Sequence, residues 1–378
     1  MSSITTNHTA RLLAIDRLRT AMMLVVMFGH AMLPYVTSPR RFNDPASSVW
    51  FDWVGIGLYA FAMPVFFVTA GFAGAALLQR RGTRAFWQHR WLRLGVPLLV
   101  GYAVLTPLTR AAYEFAVVTS TEASIAAGWQ YVRELHWLRW SKLYHLWFLA
   151  SLILFSAIAF FADRVLQRIS SRWPFALDSV LGSRLTQASG CIWLGLAAGT
   201  PMALSYIGGT GQGTDAWMQL ALLGFFGLGW WLQSRRDVRV MQSQHWRFAV
   251  AGTIVLLPLS VWSTQTRLLN EQTSDLVTGL IAGFANGLLG AFATTGLLGA
   301  AQIYWRSSSR LMKYLNDISY WVYLVHYPIV IAAGGLVSVL PSTAMTKYLL
   351  SLALAIPTVL LIVETLRHLM ARRRATIH

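Results

Sequence analysis

An ionisable side chain inside a long apolar run costs free energy in hydrocarbon and is kept for a purpose. In the apolar stretch 17–36 an arginine, Arg19, and a histidine, His30, are separated by ten residues, and Asp16 precedes the arginine by one helical turn. On a helix Arg19 and His30 fall about 20° apart, with Asp16 within about 60° of both, so the three share a face. The rise of the helix puts His30 about 16 Å along the axis from Arg19. Such a stripe suits an elongated ligand lying lengthwise, with a guanidinium at one end. At the other end stands an imidazole, whose unperturbed pKa of about 6.5 fits it for proton transfer near neutrality. The plain alternative is that Arg19 snorkels to lipid headgroups and His30 bonds a neighbouring helix.

A second cluster comprises Arg80, Arg81, Arg84, His89, Arg90 and Arg93. A surface helix over 85–93 puts Arg90 and Arg93 on one face, and paired guanidinium forks suit phosphate groups. Topology and anionic lipid account for such a cluster equally well. Ser319, Tyr323 and His326 form a third set, within about 60° of one another on a helix, a polar stripe facing the bundle in which His326 reads as a second catalytic group, an acceptor-binding group or a structural histidine. His145 and Trp147 open a further apolar run, where Trp serves as an interface anchor or a platform for a sugar ring. Arg110 and Glu114, four apart, neutralise each other on one helix face. The lone cysteine, Cys191, excludes an internal disulfide and a cysteine-based metal site. There is no Gly-x-Ser-x-Gly elbow, phosphate-binding Gly-Lys loop or His-Glu-x-x-His, so serine hydrolase, P-loop ATPase and zinc protease all lack their cue. No metal is expected.

The elements that must position these residues are membrane helices. Only 12% of the chain is charged and 56% is hydrophobic, whereas a soluble domain carries about a quarter charged residues. Runs long enough to span a bilayer occur at 17–36, 52–79, 94–117, 143–163, 187–206, 215–233, 247–263, 276–304, 317–340 and 346–368, giving about ten transmembrane helices. The first comes after a basic start but leads into no small-residue cleavage pattern, so it reads as a retained helix and not a signal peptide. There are 31 basic against 14 acidic residues, and the basic ones alternate between loops. With both termini cytoplasmic, Arg40, Arg41, Arg133, Arg139, Lys142, Arg267 and Lys347 fall outside, Arg110 lies in a span, and all the others fall inside. The excess positive charge therefore orients the chain and is not a nucleic-acid footprint. The expectation is an all-α polytopic membrane protein, a single integral-membrane domain over 1–378 with no soluble domain. An interfacial helix is expected at Tyr131–Trp140, and Gly279, Gly283 and Gly287 form a close-packing stripe. No internal repeat of two halves is visible, which disfavours a transporter with inverted symmetry.

These residues resemble the membrane-bound acyltransferase-3 enzymes, whose signature is an arginine and a histidine ten residues apart in the first helix, here Ile15-Asp-Arg-Leu-Arg19 through Phe28-Gly-His30. The similarity continues through Pro64 to Phe72, Arg90-x-x-Arg93 into Gly95-Val-Pro97, Tyr144-His-Leu-Trp-Phe-Leu149, and Ile318 to Pro328. The phrases around His145 and His326 are most similar to the group associated with succinyl transfer to osmoregulated periplasmic glucans. Ala70 stands where many relatives have serine, and no hydrolase-like extension of the kind some relatives carry is expected. The resemblance implies an inner-membrane enzyme with acyl-CoA, acetyl or succinyl, as donor and a periplasmic or surface glycan as acceptor. Lipids are its other partners, and no nucleic acid is involved. It implies Arg19, Arg90 and Arg93 as the donor-binding set; His30, with Arg19 and Asp16, as the catalytic set; and His145, Trp147, Tyr323 and His326 as acceptor-binding residues. Direct transfer and an acyl-histidine intermediate both fit. The alternatives are a transporter or flippase for a glycan or lipid, and a scaffold in a glucan-synthesis complex.

Overall fold

The computed structural model describes residues 2–135, 137–140, 142–172, 189–234, 236–269, 275–305 and 309–375. Arg184, Arg235 and Arg306, expected in inward loops, lie outside the described residues, as does His136. The chain is built of helices: α1 (Ser2–Met32), α2 (Val49–Arg90), α3 (Val96–Thr121), α4 (Ile125–Arg133), α5 (Trp147–Arg172), α6 (Gly190–Gly208), α7 (Ala216–Ser234), α8 (Arg236–Leu269), α9 (Leu276–Tyr304), α10 (Arg310–Ser338) and α11 (Ala344–Ala375). No strand occurs among the described residues. Each of the ten expected spans falls on one of these helices. Among the described residues, eight stretches are long and apolar enough to cross a membrane, and one of them, Val49–Thr121, takes in both the second and third expected spans. Of the expected spans, only that on α7 falls outside the eight. Outward-facing Val255, Leu361 and Ile254 are largely exposed, a surface that hydrocarbon solvates and water does not. The protein is an all-α, multi-pass membrane protein.

Two compact units divide the chain. One comprises 1–22, 56–96 and 148–309, the other 23–55, 97–147 and 310–378.

In the first unit α9 packs on α6 and α8. A Cβ at Gly279 would meet Ile207, one at Gly283 the backbone of Ala203, and one at Gly287 the backbone of Gly195 and Gly199. The expected small-residue stripe thus faces a matching stripe on α6, with backbones in close approach. On its other side α9 carries Asn286, whose amide accepts from Ser260 (3.1 Å) and donates to Thr264 (2.8 Å) on α8. Asp275 caps α9, accepting from the N–H groups of Val277 (3.1 Å) and Thr278 (3.3 Å) and from the Thr278 hydroxyl (2.6 Å). Gly82 interrupts α2 at φ 75°, a conformation that costs a residue with a side chain but not glycine. A π turn at Trp91–Gly95 then leads into α3.

In the second unit Lys347, counted among the outer-side charges, is buried. Its ammonium donates to both oxygens of Asp44 (2.8 and 3.1 Å) and to the Ser338 carbonyl (2.9 Å), and the side chains are 4% and 0% exposed. All three of its protons are used, which is what a buried ammonium requires. Asp52 in the first turn of α2 accepts from the N–H and hydroxyl of Thr37 (2.7 and 2.8 Å) and from the N–H of Ser38 (3.1 Å), tying down the loop after α1.

The expected interfacial helix at Tyr131–Trp140 is corrected. The helix is α4, capped by Ser124 and ended at Arg133, because Leu135 takes a left-handed conformation at φ 58°. Indoles pin the segment after it: Trp137 donates to the Val132 carbonyl (2.7 Å) and Trp140 to that of Ala103 (3.1 Å). Pro107 lies one helical turn beyond Ala103 in α3 and has no N–H to offer that carbonyl. Trp140 takes its place.

Candidate functional site

In the first unit the residues of interest are guanidiniums. Arg90 ends α2 with 8% exposure. Its guanidinium lies 5.2 Å from the centre of the Phe86 ring and against Gly74, where a Cβ would strike it. The Arg90 Nε is buried with no hydrogen-bond partner, and among the described residues no carboxylate lies within ion-pair distance. Arg19 is near enough for its charge to act on Arg90. Arg19 itself pairs with Asp16 at 3.4 Å, both side chains 40% exposed. Because α1 begins at Ser2, Asp16 lies well inside the helix. Arg93 falls in the π turn and is exposed. It does not share the burial of Arg90, because the wider turn breaks the three-residue register expected of an α-helix. Arg17, which the charge pattern assigned to orientation alone, is 4% exposed, with Nε and one terminal nitrogen lacking partners. Nothing in its spacing distinguished it from the other inward arginines.

In the second unit three histidines converge. His30, near the end of α1, places Nδ1 2.8 Å from Nε2 of His326 on α10. The two ring planes are 10° apart and the centroids 5.1 Å apart. That separation exceeds the nitrogen–nitrogen distance by about the two ring radii, so the rings meet edge to edge along a hydrogen bond in their common plane. His326 is fully buried, whereas His30 keeps some exposure. The other His326 nitrogen, Nδ1, lies 3.0 Å from the Val322 carbonyl and 2.8 Å from that of Tyr323. His145, in the 3-10 turn Tyr144–Leu146 before α5, places Nε2 2.9 Å from the Leu324 carbonyl. Its ring is 5.5 Å from that of His326 and nearly edge-on, and its carbonyl accepts from the Tyr323 hydroxyl at 2.8 Å.

Tyrosines wall this cluster. The Tyr327 ring lies 4.6 Å from that of His30, edge to face, and its hydroxyl bonds that of Tyr113 at 2.8 Å. The Tyr144 hydroxyl and His145 Nδ1 are buried without partners, the condition of a site awaiting a polar ligand. Arg41 sits 5.7 Å above the Tyr113 ring and shares the Glu114 carboxylate with Arg110, whose nitrogen is at 3.7 Å. Glu114 thus serves two arginines, where the sequence pattern anticipated one.

The acyltransferase-3 model, described as an acyltransferase domain, matches residues 12–364. The chain belongs to the acyltransferase-3 family. Its curated relatives include Glucans biosynthesis protein C of Salmonella schwarzengrund, Salmonella typhi and Salmonella typhimurium, each 29% identical over 146 residues. The match covers 38% of this chain and spans 37% of those relatives' length. No solved structure matches it significantly.

In this acyltransferase-3 chain the structure brings together His30, His145, Tyr323 and His326 in one unit, and Asp16, Arg19 and Arg90 in the other. Trp147 is half-buried at the start of α5. The burial of His326 and the engagement of both its nitrogens leave it none for a sugar hydroxyl. Sequence reasoning assigned no role to Tyr113, Tyr144 or Tyr327; the signal available was that Tyr144 and Tyr327 each adjoin a histidine that had been singled out.

Proposed function

We propose that this acyltransferase carries an acyl group, succinyl or acetyl, from cytoplasmic acyl-CoA to a hydroxyl of a periplasmic or surface glycan, with an osmoregulated glucan as the first acceptor to test, in the inner membrane of a bacterium. Family membership supports acyl transfer, and the partial likeness to glucan-biosynthesis proteins supports a glycan acceptor. The observation that carries the reading is one helix bearing both a guanidinium beside a second, buried and carboxylate-free guanidinium, and an imidazole held in plane by another histidine.

Arg90 and Arg19, with Arg93 at the rim, hold the nucleotide phosphates. A buried guanidinium without a carboxylate is poised for an anion, and Asp16 keeps Arg19 in place. The pantetheine arm, long and unbranched, extends along α1 toward His30. There the imidazole takes the proton of the acceptor hydroxyl as its oxygen attacks the thioester carbonyl. The carbon–sulfur bond breaks, the ester forms, and the imidazolium returns its proton to the departing thiolate. His145, Tyr323 and Trp147 shape the acceptor side.

The test is purified protein in nanodiscs, with radiolabelled acetyl-CoA or succinyl-CoA, a β-glucan and no gradient. Label on the glucan is expected, and His30→Ala should lower it by at least about a hundredfold while the protein stays folded. No transfer from either donor, together with movement of glucan into proteoliposomes, would replace the enzyme with a transporter. Label trapped on the protein without acceptor would assign the acyl-histidine route.

A further inference from the structure

We infer that His326 is the positioning residue that decides which nitrogen of His30 is free to take a proton, and that this nitrogen is Nε2. The inference rests on the acyl transfer proposed above, with His30 as its base, and adds the device that prepares it.

Hydrogen-bond polarity fixes the tautomers of the two rings. Nδ1 of His326 faces two carbonyl oxygens, those of Val322 and Tyr323. Carbonyls only accept, so this nitrogen bears the hydrogen. A neutral His326 then has a bare Nε2, which accepts and cannot donate. The group 2.8 Å away along that lone pair is Nδ1 of His30, which must be the N–H. Neutral His30 is therefore the Nδ1–H tautomer, and its remaining lone pair is on Nε2, the nitrogen farther from α10. A second-histidine bond of this kind does for His30 what a carboxylate does for the histidine of a serine-protease triad, without placing a charge in an apolar bundle.

Among the described residues, the donors nearest the His326 lone pair are engaged elsewhere. His145 spends its only N–H on the Leu324 carbonyl, the Tyr323 hydroxyl bonds the His145 carbonyl, and the Tyr327 hydroxyl bonds Tyr113. The consecutive carbonyls of 322, 323 and 324 thus dictate both histidines' tautomers from the backbone of α10. Burial of His326 keeps water from supplying an alternative donor.

Nitrogen NMR of histidine-labelled protein in nanodiscs at pH 8 reads the tautomer directly. Among the nine histidines the His30 signals are assigned by their loss in His30→Gln. Protonated Nδ1 with bare Nε2 is expected for His30, and His326→Met should convert it to a mixture. In parallel, His326→Met should lower kcat for acyl transfer by about a hundredfold with KM for both substrates changed less than about threefold. His326→Gln, which restores an amide oxygen toward Nδ1 of His30, should recover at least about tenfold of that loss. A wild-type His30 with bare Nδ1, or a His326→Met protein of unchanged kcat, overturns the inference. A wild-type protein that transfers no acyl group from either thioester sinks the proposed function instead, while the NMR still decides where the His30 proton lies. If His326→Met does not fold, the wild-type spectrum and His326→Gln decide.

Discussion

His145 supplies the donor that Pro328 cannot. In α10 the Leu324 carbonyl would ordinarily accept from the N–H four residues on, but that residue is Pro328, and the ring nitrogen of His145 sits 2.9 Å from the orphaned oxygen. Replacing His145 with Phe should leave a buried carbonyl unsatisfied and cost about 1–3 kcal/mol. Adding Pro328→Ala returns a helical N–H to Leu324 and should recover part of the loss. Thermal unfolding of the two single variants and the double variant in detergent measures the coupling, and strict additivity would refute it.

The buried pair of Lys347 and Asp44 makes a sharper demand on stability. Lys347→Met strands a carboxylate that is 0% exposed and should cost about 3–5 kcal/mol. Lys347→Met with Asp44→Leu removes both charges and should be markedly more stable than either single variant. Melting temperatures and detergent-solubilised yield report the order.

Packing of α9 on α6 depends on the absence of side chains. Gly283→Leu would drive a side chain into the Ala203 backbone, so the helices must part. Lower yield of folded protein and early aggregation on size-exclusion chromatography are expected. Leu at Gly224, where a Cβ meets nothing, is the control and should behave like wild type.

At the arginine site, Gly74→Val should displace the Arg90 guanidinium, because a Cβ there overlaps it. Acyl-CoA binding, measured by calorimetry, should weaken about tenfold, which corresponds to about 1.4 kcal/mol. Arg90→Ala should do at least as much. Unchanged affinity in both variants would remove Arg90 from the donor site.

Asp275 gives a pH signature. The Thr278 hydroxyl, then the N–H of Val277, holds its carboxyl below the ordinary carboxylate range. A depressed folded-state pKa contributes stability that is complete above the unfolded value of about 3.9 and fades as pH falls through the lower folded value. The melting-temperature gap between wild type and Asp275→Ala should therefore be widest near neutrality and narrow as pH falls below about 3.9.

Helices, their apolar lengths and the glycine stripe were legible in the residues because each is a local pattern. Periodicity decides which side chains share a face, so Arg19 and His30 could be aligned before any fold was known, and Gly279, Gly283 and Gly287 announced close packing. The stretch at 131–140 misled for the same reason. Its amphipathic spacing continues past Arg133, but Leu135 leaves the helical region and the indoles of Trp137 and Trp140 bond carbonyls instead.

Residue order settled this chain's solvent, its helices and the face of α1 that carries the arginine and the imidazole, since composition and a 3.6-residue repeat act along the chain. Folding alone decided that His326, remote in sequence, would hold His30 in plane, that His145 would serve a carbonyl freed by a proline, and that Lys347 would be neutralised by Asp44. Those pairings depend on directed bonds between distant segments, and no spacing rule along a single helix encodes which nitrogen meets which oxygen in space.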